Sequence, residues 1–183
     1  MAVRPFDGIC PDIHATAYID PAATVIGRVA IGAHSSLWPG VVVRGDINSI
    51  EIGDNTNIQD NSILHVTHES PYYRGAALRV GNAVTVGHGV CLHGCEIEDN
   101  CLIGMGSLVL DRARVETGCL LGAGSLVAPG KVIESGWLWL GRPAKKIRRL
   151  TDQEQEYLSY SARHYAALKD RYGNQAGTSS GAP

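Results

Sequence analysis

Every sixth residue of this chain is aliphatic over most of its length. From Ile13 the sixes read IHATAY, IDPAAT, VIGRVA, IGAHSS, LWPGVV and VRGDIN; the phase slips by three residues and resumes at Ile52 with IGDNTN, IQDNSI and LHVTHE. The stretch SPYYRGAALR interrupts it before VGNAVT and VGHGVC, LHGCE is one residue short, and from Ile97 the sixes run on from IEDNCL to WLGRPA. A unit with one short strand and one corner cannot bury an apolar face alone. Three such units make a triangular coil with its aliphatic side chains inside, and stacked coils share a continuous core. Gly, Asp or Asn recurs after the aliphatic position, where the backbone must turn. A β-sandwich is disfavoured, because its turns recur about every 8 to 12 residues.

The fold expected is mainly β: a single-stranded parallel β-helix over residues 1–150. The pattern resembles the hexapeptide repeat of left-handed β-helix proteins, and the left hand is implied by that resemblance alone, since periodicity does not show it and crossovers are normally right-handed. After LGRPAKKIRRL the pattern becomes helical over 151–173. Thr151 and Glu154 have capping-box spacing, Tyr157, Ser161, His164, Tyr165, Leu168 and Tyr172 share one face, and Gly173 is expected to end the helix. This helix is expected to pack on the outside of the β-helix, on its own coils or a neighbour's. The tail, 174–183, is small and polar and reads as disordered.

Formal charge is −2 and no Lys/Arg cluster lies along one element, which excludes a nucleic-acid or anionic membrane surface as partner. No apolar run reaches the roughly 20 residues of a membrane-spanning helix, and MAVRPFDGIC lacks the apolar segment of a signal peptide, so a cytoplasmic location is expected. Cys10, Cys91, Cys95, Cys101 and Cys119 are odd in number and without CxxC spacing. They read as small buried apolar residues rather than as disulfides or zinc ligands. The partners expected are a small molecule and further copies of the chain.

Register places the histidines. Strands opening at Ile52, Ile58 and Leu64 occupy the first, second and third faces, and Val80, Val86 and Leu92 the same faces one coil later. His65 and His93 are then both second in a third-face strand, stacked about 4.8 Å apart, a spacing that suits two ligands of one metal ion. His88 lies third in a second-face unit. In a three-fold ring the second face of one chain meets the third face of the next, and His88 would complete the set across the boundary. Three neutral imidazoles with an open fourth position are the ligands of a catalytic zinc site, which lowers the pKa of a bound water to around 7. His14, His34, His68 and His164 read as structural.

The preceding stretch supplies polar groups. Arg44 and Asp46 flank Gly45 at the phase slip and are placed to orient a bound anion or to tie two subunits together. Gln59 can hydrogen-bond the metal-bound water, Asp60 can take a proton or orient Gln59 or a histidine, and Asn57 lies beside them.

RGD, TNIQD, the following His65, and VGHGVCLHGCEI with LIGMGS resemble the γ-class carbonic anhydrases and their bacterial homologues, once described as ferripyochelin-binding-like proteins, from about Pro11 to Tyr172. The resemblance implies a homotrimer with zinc, or iron (Fe2+) or cobalt (Co2+), at each subunit interface. His65 and His93 would be ligands from one subunit and His88 from its neighbour; Arg44 and Asp46 would lie near bicarbonate, Gln59 and Asp60 near the nucleophile. The implied activity is reversible hydration of carbon dioxide. One departure concerns protons. The family's shuttle glutamates are missing, for Ile47 follows Asp46, and VTHESPYYRG offers only His68 and Glu69. Tyr165, on the helix, is the candidate tyrosine near the metal, in competition with Tyr157 and Tyr160. Two other functions fit the same fold: a hexapeptide acyltransferase acting on a coenzyme A thioester, and a metal-binding trimeric scaffold with little hydration activity.

Overall fold

A computed structural model describes residues 2–176. The chain winds as a left-handed parallel β-helix of triangular coils, and each face is a ladder of short strands. The second face stacks Tyr18–Ile19, Ser36–Leu37, Asn57–Ile58, Thr85–Val86, Leu102–Ile103, Leu120–Leu121 and Trp137–Leu140. The third and first faces join in one twelve-stranded sheet, because the long strands Thr24–Ile31 and Val42–Ile52 run round the corner between them. Ile52 pairs with Val80, Ile58 with Val86 and Leu64 with Leu92, as the hexad count requires.

Along each strand one side chain points inward and its neighbours outward. The inward positions are the aliphatic residues of the sixes: Val25, Val43, Leu64, Leu92, Val109 and Val127 line the third face with no exposed area. Each contributes about 1.5–3 kcal/mol by leaving water, and this ladder is the core. Corners are held by side chains acting on backbone. Asp99 Oδ1 accepts from the N–H of Asn82 (2.7 Å) and Asn82 Oδ1 from that of Asp54 (2.8 Å), while Asn55, Ala83 and Asn100 turn the chain at φ near +53°. These bonds are why Asp and Asn recur in the repeat.

The phase slip is a bulge. Gly27 pairs with Gly45 but Val29 with Ile50, so Arg28 alone opposes Asp46, Ile47, Asn48 and Ser49, and the three extra residues are thrown out of the corner. Both ends of the solenoid carry strands that the hexad count does not show. Ala2–Arg4 pairs with Thr24–Ile26 at the first coil, and Lys145–Arg149 folds back antiparallel on Trp137–Leu140 at the last. The second of these puts Lys145, Lys146, Arg148 and Arg149 on one exposed edge strand, which corrects the expectation that no basic cluster lies along one element. With Lys146 Nζ 3.9 Å from the Trp137 ring centre, the charge discourages end-to-end pairing.

Thr151 and Glu154 form the expected capping box: the Thr151 N–H donates to Glu154 Oε2 (2.9 Å) and the Glu154 N–H to Thr151 Oγ1 (3.2 Å). The helix, Asp152–Ala176, lies on the second face of its own chain, across Tyr18–Ile19, Ser36–Leu37, Asn57–Ile58 and Thr85–Val86. It passes Gly173, because glycine costs a helix interior only about 1 kcal/mol and does not forbid it. The reading of 174–183 as a disordered tail is thus corrected at Asn174–Ala176, and 177–183 lie outside the described residues. The buried face is also rotated from the expected one. Of the expected face Ser161 is buried, Tyr165 and Leu168 are half-buried, and Tyr165 and Tyr172 pack edge-on against Trp38, while Tyr157 and His164 are exposed and Leu158, Ala162 and Lys169 are buried in their place. Cys95, Cys101 and Cys119 are buried as expected. Cys10 is exposed because it precedes the repeat, and Cys91 is half-buried because it points outward beside inward Leu92. Among the described residues no helix is long and apolar enough to cross a membrane.

Candidate metal centre

His65 and His93 pair across adjacent coils at the third-face edge, both pointing outward. His65 Nδ1 lies 3.2 Å from His93 Nε2. Two nitrogens bound at about 2.0–2.1 Å on a tetrahedral ion would stand about 3.3–3.4 Å apart, so the pair is already spaced as two ligands of one cation. The other nitrogen of each ring is held by a carboxylate: His65 Nε2 by Asp46 Oδ1 (3.1 Å) and His93 Nδ1 by Asp111 Oδ1 (2.5 Å). Asp46 also accepts from Arg44, and Asp111 from the Thr67 hydroxyl (2.6 Å).

Electrostatics favour the neutral form of His65, the form a metal could bind. Burial pushes the His65 imidazole below its ordinary pKa and the Arg44 charge adds to this, while the bond to Asp46 offsets only part of it. A neutral imidazole binds metal; an imidazolium does not. Burial alone would raise the carboxyls of Asp46 and Asp111. Hydrogen bonds from Arg44 and His65 to the first, and from Thr67 and His93 to the second, outweigh burial and hold both below the usual carboxylate range.

His88 is elsewhere. It follows Thr85–Val86 at the corner between the second and third faces, five residues before His93, so up to about 16 Å of extended chain separates them. Its Nδ1 meets Asp60 Oδ2 at 2.8 Å, which leaves Nε2 free. A cavity of about 390 Å³ opens beside it, and its walls include Gln59, Tyr157, Ser161 and Tyr165. Gln59 is buried and its Nε2 donates to Asn57 Oδ1 (3.1 Å), so its carbonyl oxygen remains available to accept. Burial, with the negative charge of Asp60 adding to it, raises the Tyr165 phenol, which therefore stays protonated and keeps a proton to donate at neutral pH.

The expected residues thus fall into two groups on one chain. Arg44, Asp46, His65 and His93 stand together at one edge of the third face; Gln59, Asp60, His88 and Tyr165 stand together at the other. Among the described residues of one chain, no group of three His, Cys, Asp or Glu side chains is arranged to hold a metal ion.

The residue set fits a divalent cation. Each of the three imidazoles has one nitrogen oriented by its own carboxylate and the other presented outward, the arrangement that fixes ring orientation in metal sites. Asp111 and Thr67 escaped the sequence reading. The signal for Asp111 was the short unit LHGCE, which shifts register so that His93 is stacked next to Leu110 and Asp111 follows at the corner. Asp111→Asn is expected to lower metal affinity roughly 10- to 100-fold with little change in fold, as measured by titration against a competing chelator.

A triangular solenoid of six-residue units carrying a helix on one face defines a hexapeptide-repeat β-helix protein. No protein-family model matches the chain. It is 49% identical to Protein YrdA of Escherichia coli over 94% of this chain and 96% of that one, and 46% identical to a carbonic anhydrase of Geobacillus kaustophilus over 93% and 90%. The crystal structure of a hexapeptide transferase family protein from Anaplasma phagocytophilum superposes with a TM-score of 0.88 at 44% identity, covering 93% of this chain and 98% of that one. The chain belongs to the γ-class carbonic anhydrase family.

Proposed function

We propose that the chain catalyses reversible hydration of carbon dioxide to bicarbonate as a homotrimer. Each metal site would take His65 and His93 from one subunit and His88 from the next, with zinc as the first choice and iron or cobalt as alternatives. The observation that carries this reading is that all three imidazoles are paired to carboxylates while lying on two edges of one face. The pattern is complete in orientation and incomplete in ligand number. A divalent cation there supplies a water of pKa near 7, a nucleophile available at neutral pH.

The chain's own residues set the rest. The free carbonyl of Gln59 would accept a hydrogen bond from the attacking water or hydroxide and so hold its lone pair toward the substrate carbon. The half-exposed Arg44 guanidinium, fixed by Asp46, attracts and orients bicarbonate. Asp46, Asp60 and Asp111 are positioning residues for His65, His88 and His93. Tyr165 donates a hydrogen bond to substrate oxygen. The proton must leave by His68 or by buffer, because the Glu69 carboxylate is bound to the Gly75 N–H at 2.8 Å and staples its own loop. The cysteines, none of them disulfide-bonded, agree with a reducing, cytoplasmic setting.

Acyl transfer is the second reading. It draws on the likeness to a hexapeptide transferase family protein and on the cavity beside His88, where the His88–Asp60 pair would act as general base. The deciding experiment is stopped-flow hydration of carbon dioxide on zinc-loaded protein, run beside a coenzyme A thioester assay. Hydration lost on chelation and restored by zinc supports the first reading. Thioester turnover indifferent to chelator supports the second. A zinc-loaded trimer silent in both assays is the scaffold.

A further inference from the structure

We propose that the loop between Thr67 and Ala76 of one copy docks against the tyrosine-lined first turns of the helix on the adjoining copy, clamping the shared site from outside. The inference rests on the interface-site reading above. Tyr72 and Tyr73, at the tip of the loop, are 86% and 67% exposed, and Tyr157 and Tyr160 on the helix are 52% and 54% exposed. Exposed aromatic pairs of this kind are what subunit interfaces bury.

Their positions relative to the two groups of site residues say what covers them. The loop leaves the third face two residues after His65, is closed by the Thr67–Ala76 bridge, and is tied to the His93 side through the Thr67 hydroxyl on Asp111. On the other edge, Tyr157 lines the same cavity as His88. Bringing His88 of one copy to His65 and His93 of another therefore brings loop and helix together. Charge agrees with this docking. Glu69 and Arg74 flank the loop tyrosines, and Glu156 and Arg163 line the shallow groove around Tyr157 and Tyr160, so each side offers one acid and one base. None of these four has an ion-pair partner among the described residues of its own chain.

The test is photo-crosslinking in the full-length, zinc-loaded protein with Tyr73→p-benzoylphenylalanine, mixing isotopically heavy and light chains before irradiation. The expected product is a heavy–light adduct joining the loop to a helix peptide within residues 152–163. In parallel, Tyr72→Ala with Tyr73→Ala should weaken subunit association about tenfold or more, read by sedimentation. A trimer that binds zinc but crosslinks only within one chain, or to another surface, overturns the docking and leaves the shared site standing. A monomer that binds no zinc overturns both.

Discussion

Alanine at any one of His65, His88 or His93 is expected to empty the metal site and to lower carbon dioxide hydration about a thousandfold or more, about 4 kcal/mol in the barrier. His88 is the informative member. Within one chain it stands a full face away from the other two, and among the described residues its ring bonds only to Asp60. A purely structural corner histidine, half-exposed as His88 is, would contribute at most a surface ion pair, worth less than about 1 kcal/mol. Equal losses at all three positions therefore require a ligand role for His88. Bound zinc per subunit and kcat/KM, measured on the three variants, check this, with thermal unfolding to show that the solenoid is intact. The β-helix should survive, because all three side chains point outward and none contributes to the aliphatic ladder.

Gly45→Ala is expected to be strongly destabilising and to reach the metal site as well. A Cβ at position 45 would collide with the carbonyl oxygen of Arg28 and lie 2.9 Å from its carbon, against backbone that cannot swing away. Gly27, its partner across the ladder, has φ +75°, a left-handed conformation that glycine tolerates, and its own Cβ would meet the Gly45 oxygen at 2.6 Å. The two glycines let adjacent coils touch where the long strands turn the corner. Overpacking here should cost about 3 kcal/mol. Arg44 and Asp46 flank this position, so displacement of the corner also moves the carboxylate that orients His65. Weaker zinc binding should accompany the lowered Tm. A stability loss with unchanged zinc affinity would mean that the bulge absorbs the strain without moving Asp46.

Most of the solenoid is legible in the sequence because its period is rigid. Each inward aliphatic residue fixes its unit's register, so His65 and His93 can be superposed by counting, and the structure pairs them. The slip after Val43 is visible as a break in phase, though not its form as a three-residue bulge. Features outside the period are hidden. The closing hairpin of Trp137–Leu140 with Lys145–Arg149 depends on tertiary contact with the last coil. The helix face is read in part: Ser161, Tyr165 and Tyr172 do face the coils, but Tyr157 and His164 turn outward and Leu158 and Ala162 take the buried stripe, a rotation that only contact with the second face fixes. Asp111 is missed because it joins His93 only through the shortened unit, which displaces it by one residue from the expected ladder.

The sharing of one ion between two chains is tested most directly by mixing two inactive variants. His88→Ala and His93→Ala chains, unfolded together in equal amounts and reassembled with zinc, form a complete site wherever a His88→Ala chain offers its intact His65 and His93 to the intact His88 of a His93→Ala neighbour. Random assembly produces that arrangement at about one site in four, so about a quarter of the wild-type hydration rate should return, with zinc bound in the same proportion. Each variant reassembled alone should stay inactive. A mixture as inactive as its components would contradict a metal site built from neighbouring subunits.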